Sequence, residues 1–156
     1  MSENLIPLER LTDLHTGHSR LMGLDLGTKT IGIAISDSRL KVATARTTLA
    51  RRKFTLDVEE LVRLAAREEV FAFVLGLPLN MDGSEGRRAQ STRSFARNMA
   101  RHTDLPVVLW DERLSTYAAD QAMIEADMSR KKRAEKIDAV AAAIILQGAL
   151  DRLQAG

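Results

Sequence analysis

The sequence predicts an α/β fold: a mixed five-stranded sheet, three antiparallel strands followed by two parallel ones, with helices on both faces. Three observations predict it. Apolar residues alternate with period two between Leu21 and Leu49. The period changes to helical spacing in "FTLDVEELVRLAAREE", residues 54–69. Beyond that point short apolar runs alternate with helical stretches, the pattern of a sheet covered by crossover helices.

The elements follow in order. In "LMGLDLGTKTIGIAIS", residues 21–36, a first strand puts Met22, Leu24 and Leu26 on one face and Gly23, Asp25 and Gly27 on the other. "GTKT" supplies a turn, and Ile31, Ile33 and Ile35 then alternate with Gly32, Ala34 and Ser36 as a second strand. "SDSR" turns again before a third strand, residues 41–49, rich in Val and Thr. Val58, Leu61, Val62 and Ala65 form the inner stripe of the first long helix. "VFAFVLGL" reads as a short buried strand, "PLNMDGSEG" as a loop, and residues 87–101 as a helix with Phe95 and Met99 inward. "LPVVLW" is the fifth strand, ended by "DER". Residues 115–127 read as a helix, "MSRKKRAEK" as a charged connection, and residues 137–153 as a last helix.

Composition bounds the function. A chain of 156 residues with 45% hydrophobic residues can bury one substantial, mainly aliphatic core. The absence of cysteine excludes disulfides and thiolate metal sites and fits a reducing compartment. No apolar run approaches the roughly 18 residues of a membrane span. The first 20 residues carry Glu3, Glu9 and Asp13 and lack the apolar stretch of a secretory signal. They are expected to form an N-terminal extension, partly disordered or weakly helical, ahead of a single domain over 21–153 in a cytoplasmic protein. A net charge of +2 alone does not announce nucleic acid; the placement of the charges matters more.

Asp25 raises the functional question, because an unpaired buried carboxylate would be very costly. Two other acids are placed to answer it. Glu112 lies just past the carboxyl end of the fifth strand, where an α/β sheet opens its ligand crevice. Asp138, in "KIDAVAAAIIL", shares a helix face with Ala141, Ala142 and Ile145. Small residues on that face and beside Asp25 permit close approach of helix to sheet, so Asp138 is expected to meet Asp25, with Glu112 completing the cluster. Three converging carboxylates need a counter-charge. Oxygen-only ligands point to Mg²⁺ or Mn²⁺. Such sites can hold two ions about 4 Å apart and hydrolyse phosphodiesters by in-line attack of water.

Gly23-x-Asp25-x-Gly27-Thr28, Gly32-x-Ala34, "GLPLNMDGSEG", "DERLST" and "KIDAVAAAIIL" together resemble the YqgF family, also called RuvX, over residues 21–153. The resemblance implies a ribonuclease H-like fold related to RuvC Holliday junction resolvases, and nuclease activity in 5′-end maturation of pre-16S rRNA. It implies the same three acids, Asp25, Glu112 and Asp138, as catalytic and metal-holding residues. The chain departs from the resolvases in its fourth strand, where they carry an acid and it has "VLGLP".

Each signal has a purely structural counterpart. Asp25 could accept turn hydrogen bonds, Asp138 could stabilise a helix start, and Glu112 could pair with Arg113, with Asp111 the competing acid. For substrate contacts the candidates are Asn80 in the loop, Arg93 and Arg97 on a helix stripe that continues to Arg101 and is extended by Arg87 and Arg88, Arg113, and Lys131 and Arg133 in the basic run before Asp138. Stacking aromatics are scarce, which favours recognition of backbone and shape. The expected partner is precursor ribosomal RNA or branched DNA, with ribosomal particles in attendance and the protein a monomer or weak homodimer. The rivals are a four-way DNA junction resolvase and a non-catalytic RNA- or ribosome-binding module. A nucleotide-binding ATPase would need a second domain, and "GLDLGTKT" lacks P-loop spacing.

Overall fold

The computed structural model describes residues 4–114 and 130–155, the side chains of 130–138 excepted. A 3-10 turn, Leu8–Arg10, leads into a one-turn helix α1, Leu11–Leu14. Strands β1 (Arg20–Leu26), β2 (Thr30–Ser36) and β3 (Ala43–Ala50) follow. Helix α2 (Phe54–Arg67), strand β4 (Val70–Leu77), helix α3 (Arg87–His102), strand β5 (Val107–Asp111), a 3-10 turn (Glu112–Leu114) and helix α4 (Arg130–Ala155) complete the described chain.

The five strands form one sheet in the order β3-β2-β1-β4-β5. The pairs β1–β2 and β2–β3 are antiparallel; β1–β4 and β4–β5 are parallel. This is the mixed α/β sheet the alternation predicts. The two cores confirm the predicted faces residue by residue. Met22, Leu24, Leu26, Ile31, Ile33, Ile35, Phe73 and Leu75 pack with Val58, Leu61 and Ala65 of α2 and Phe95, Ala96 and Met99 of α3. The opposite face carries Leu21, Ala34, Ala72, Val74, Val108 and Trp110, packed with Ala142, Ile145, Leu146 and Leu150 of α4. Helix α2 begins where buried Asp57 folds back to accept the backbone N–H of Arg52, at 3.1 and 3.2 Å.

At Gly23, α4 lies close against the sheet. A Cβ there would lie 2.7 Å from Leu146 Cβ and 2.9 Å from the Ala142 carbonyl oxygen, so only a bare Cα fits. At the other end of α4, the Gln154 side chain donates to the Leu40 carbonyl at 3.0 Å, and Gln147 bridges Lys41 and Ala43. The carboxyl end of α4 therefore lies at the edge where β2 ends and β3 begins. Its amino end points toward the carboxyl end of β1.

Two expectations change. The basic run "RKKRAEK" is the first part of α4, not a connection preceding a helix at 137. Lys, Arg, Ala and Glu are all good helix formers, and here propensity outweighs the missing apolar stripe. The leading segment also enters the fold: Leu8 and Leu11 are buried in the α4-side core, and Leu5 bridges Val107 at the open edge of β5. Asn4 extends this attachment by donating to the Ala100 and Thr103 carbonyls. The helix expected over 115–127 lies outside the described residues.

Candidate active site

Period two decides which face each acid uses. On β1, Asp25 lies on the same side as Gly23, hence on the α4 side. On β4, Gly76 follows Ala72 and Val74 onto that side. Leu24 is in register with Leu75, so the next pair in the parallel ladder brings Asp25 beside Gly76. On β5, Gly76 is in register with Trp110, and Glu112 follows two residues later. The 3-10 turn at Glu112–Leu114 bends that side chain back over Gly76, where an added Cβ would lie 2.5 Å from Glu112 Oε1 and 3.0 Å from its Cγ. Three strands thus converge on one spot at their carboxyl ends, with glycine in the middle leaving room for the carboxyl group.

Glu112 is half-buried, and its carboxyl is raised to about 7 from 4.5. Burial is the largest cause; the negative charge of Asp25 is the second, and Asp111 adds to it, while Arg88 opposes them. Two carboxyl groups that repel each other in a partly dry crevice are an unfavourable arrangement in isolation. They are also the donor set a hard divalent cation takes. Among the described residues no group of three or more acidic, histidine or cysteine side chains comes together to hold an ion, so the described centre is a pair. Asp138 lies on α4, but its side chain is outside the described residues.

The competing acid is separated cleanly. Asp111 forms a two-pronged ion pair with Arg113, with Nη2 to Oδ2 at 2.7 Å and Nε to Oδ1 at 3.1 Å. The hydrogen bond from Arg113 holds its carboxyl below the usual range. Arg113 also donates to the Met81 carbonyl at 3.2 Å, tying the 78–86 loop to the end of β5. It therefore pairs with Asp111 rather than with Glu112.

Other predicted contact residues are distributed differently. Asn80 closes its own loop: its backbone N–H donates to the Ser84 carbonyl at 2.9 Å and its side chain to Ser84 Oγ at 2.9 Å. Arg93 pairs with Glu85 at 2.7 Å, while Arg97 is exposed and, among the described residues, donates only to Ser94. Lys131 and Arg133 lie in the first turns of α4, with side chains outside the described residues. Two participants, Gly76 and Arg51, escaped the sequence-based candidates, and a third, Arg88, entered only as an extension of the α3 stripe. Gly76 looked like a gap in the acid pattern, and Arg88 like a continuation of a surface stripe. Arg51 sits just past β3, far in sequence from β1, yet its Nη1 donates to the Gly27 carbonyl at 2.6 Å.

The family model described as "RuvX: Holliday junction resolvase" matches residues 19–152. The chain belongs to the RuvX family. It is a nuclease, a hydrolase acting on ester bonds. A Rhodobacter capsulatus protein named "Putative pre-16S rRNA nuclease" is 62% identical over 133 residues, covering 85% of this chain and 84% of its own. A protein of the same name from Rhodopseudomonas palustris strain BisB5 is 57% identical over 155 residues, covering 99% and 97%. Among solved structures, Thermus thermophilus RuvC in complex with Holliday junction substrate superposes with a TM-score of 0.56 at 13% identity, covering 88% of this chain and 97% of that one. The yeast mitochondrial Holliday junction resolvase Ydc2 gives 0.52 at 16% identity, covering 95% and 84%. At such identities the RuvX-family chain shares the ribonuclease H-like fold with these resolvases, and the fold alone.

Proposed function

We propose that this RuvX-family nuclease is a divalent-metal-dependent endonuclease that cuts structured RNA, with 5′-end maturation of pre-16S rRNA as its task and ribosomal precursor particles as its setting. The observation that carries this reading is the approach of Asp25 and Glu112 over Gly76 at the carboxyl end of the sheet. The names of the relatives support the RNA substrate.

Asp25 and Glu112 would hold Mg²⁺ or Mn²⁺, with Asp138 as the third ligand. The course of α4 supports that third role. Ala142 and Leu146 meet β1 at Gly23, and the amino end of α4 points toward the site. Position 138 is one helical turn before Ala142, about 6 Å along the axis. Asp25 is two residues beyond Gly23, about 6.6 Å along the strand. When bound, the metal would lower the pKa of water and neutralise charge on the phosphate during in-line hydrolysis. The chain's own part is to orient oxygen donors, to keep Glu112 partly dry, and to contact the substrate backbone through cations: exposed Arg97 on α3 and, from the sequence of α4, Lys131 and Arg133.

The test compares cleavage of a pre-16S rRNA 5′ fragment with that of a four-way DNA junction, in Mg²⁺ and in Mn²⁺, for wild type and Asp25→Asn. The proposal expects site-specific RNA cleavage that the variant loses while still binding RNA. Cleavage of the junction alone would replace RNA by branched DNA as the substrate. RNA binding with no cleavage of either would favour a non-catalytic RNA-binding role.

A further inference from the structure

On the other side of β1's carboxyl end from α4 lies a cavity of about 50 Å³ between the β1–β2 turn, the end of β3 and the start of α3, lined by Gly27, Thr28, Arg51, Arg88, Thr92 and Phe95 among others. We propose that it is a phosphodiester-binding subsite, in which Arg51 and Arg88 hold a backbone phosphate of the substrate strand next to the one being cut. This deepens the nuclease reading above and rests on it for the identity of the ligand.

Four observations converge. First, Arg51 and Arg88 make no ion pair among the described residues, whereas Arg20, Arg46, Arg63, Arg93 and Arg113 each meet a carboxylate. Each of the two donates to a single backbone carbonyl, Arg51 to Gly27 at 2.6 Å and Arg88 to Leu26 at 3.4 Å. A guanidinium has five N–H donors, so most of each fork is uncommitted. Second, Arg51 is held in place from below by the Phe95 ring, 5.6 Å from its centroid, which fixes a planar fork suited to phosphate oxygens. Third, Thr92 lines the cavity with only 3% of its surface exposed, and its hydroxyl has no hydrogen-bond partner among the described residues. A buried hydroxyl without a partner is costly, and an oxyanion would supply the missing acceptor. Fourth, α3 opens with Arg87 and Arg88 and no acid in its first turn. The helix dipole disfavours cations there, and a bound anion reverses that penalty.

The location gives the cleft its use. Leu26 and Gly27 follow Asp25 directly in sequence, and Arg88 is near enough to Glu112 to oppose the rise in its pKa. A strand whose scissile phosphate lies at the carboxylates would pass its neighbouring phosphate over this pair of arginines. The charges then divide the work: acids for the cation at the reacting group, arginines for the phosphate beside it.

The experiment has two arms, each using wild type, Arg51→Gln, Arg51→Lys and Arg88→Gln, with Arg63→Gln as a control distant from the cleft. In the first, inorganic phosphate is titrated while the amide signals of Thr28 and Thr92 are followed by NMR. In the second, binding of a labelled RNA hairpin and of a four-way DNA junction is measured in EDTA across a salt series. The proposal expects saturable phosphate shifts in wild type and Arg63→Gln, retained in part by Arg51→Lys and lost in both Gln variants. It expects each Gln variant to weaken nucleic-acid binding several-fold and to lower the log–log salt slope by roughly 0.7 to 0.9, one phosphate contact. Unchanged phosphate shifts, affinity and slope in both Gln variants would overturn the subsite even if wild type cleaves RNA. Conversely, loss of phosphate binding in the Gln variants, with no cleavage of any substrate, would keep the subsite and sink the nuclease reading.

Discussion

The Glu112 carboxyl group occupies the space that a side chain on Gly76 would need: a Cβ there would lie 2.5 Å from Oε1. The acid comes from the end of β5 and the vacancy from the middle of the sheet. One explains the other. A strand position that looks deficient in the sequence is the seat for a carboxylate delivered by its neighbour.

Gly76→Ala is therefore expected to abolish cleavage by expelling Glu112, and to cost about 1–3 kcal/mol of stability through overpacking, because the same Cβ also strikes Ile145 Cδ1 at 2.5 Å. The two effects separate in the double variant with Ile145→Ala. Its thermal stability should shift relative to Gly76→Ala by relief of that contact, while activity stays lost. Full activity in Gly76→Ala would show that Glu112 needs no such seat.

The raised carboxyl of Glu112 makes a signed pH prediction for the metal-free protein. Its folded value of about 7 lies above its ordinary 4.5, so its stabilising contribution is whole below pH 4.5 and is lost as pH climbs to about 7. Relative to Glu112→Gln, wild type should lose about 1–2 kcal/mol across that window, a figure reduced from the full shift because the carboxyl is partly open to solvent. Urea denaturation of both proteins in EDTA at a series of pH values measures the difference. A difference that is flat with pH, or that grows in favour of wild type, contradicts the burial and Asp25 repulsion from which it derives.

Gly23→Ala tests the close seating of α4. The new methyl would press on the Ala142 carbonyl at 2.9 Å and the Leu146 Cβ at 2.7 Å, and the first of these is backbone that cannot swing away. A loss of about 2–3 kcal/mol is expected, near the upper end for small-to-large changes. Chemical denaturation gives the value, and a change under about 0.5 kcal/mol, the range of ordinary surface substitutions, would mean that α4 rides higher on the sheet.

Much of this arrangement was legible in the sequence because strand alternation is strict. Once Met22, Leu24 and Leu26 are assigned inward to α2 and α3, Asp25 has to face α4, and it does. Glu112 was legible as an acid just past a strand end. Gly76 was not, because its meaning depends on a carboxylate 36 positions later folding back over it. Arg51 and Arg88 converge only through the β3–α2 connection and the start of α3, a meeting that no local period encodes. The basic start of α4 was missed for a different reason: charge suggested a solvated connection where helix propensity decided the outcome. The packing of Leu8 and Leu11 had a signal, the spacing of Leu5, Leu8 and Leu11 at every third residue, hidden in a segment that reads as polar overall.

The central claim is that Asp25 and Glu112 act together as one divalent-cation site. Calorimetric titration of Mn²⁺ into wild type, Asp25→Asn and Glu112→Gln at neutral pH tests it most directly, with circular dichroism to confirm that each is folded. The account predicts saturable binding to wild type with proton release from Glu112, and its loss in both variants. Equal Mn²⁺ binding in all three proteins, or none in wild type, would contradict it.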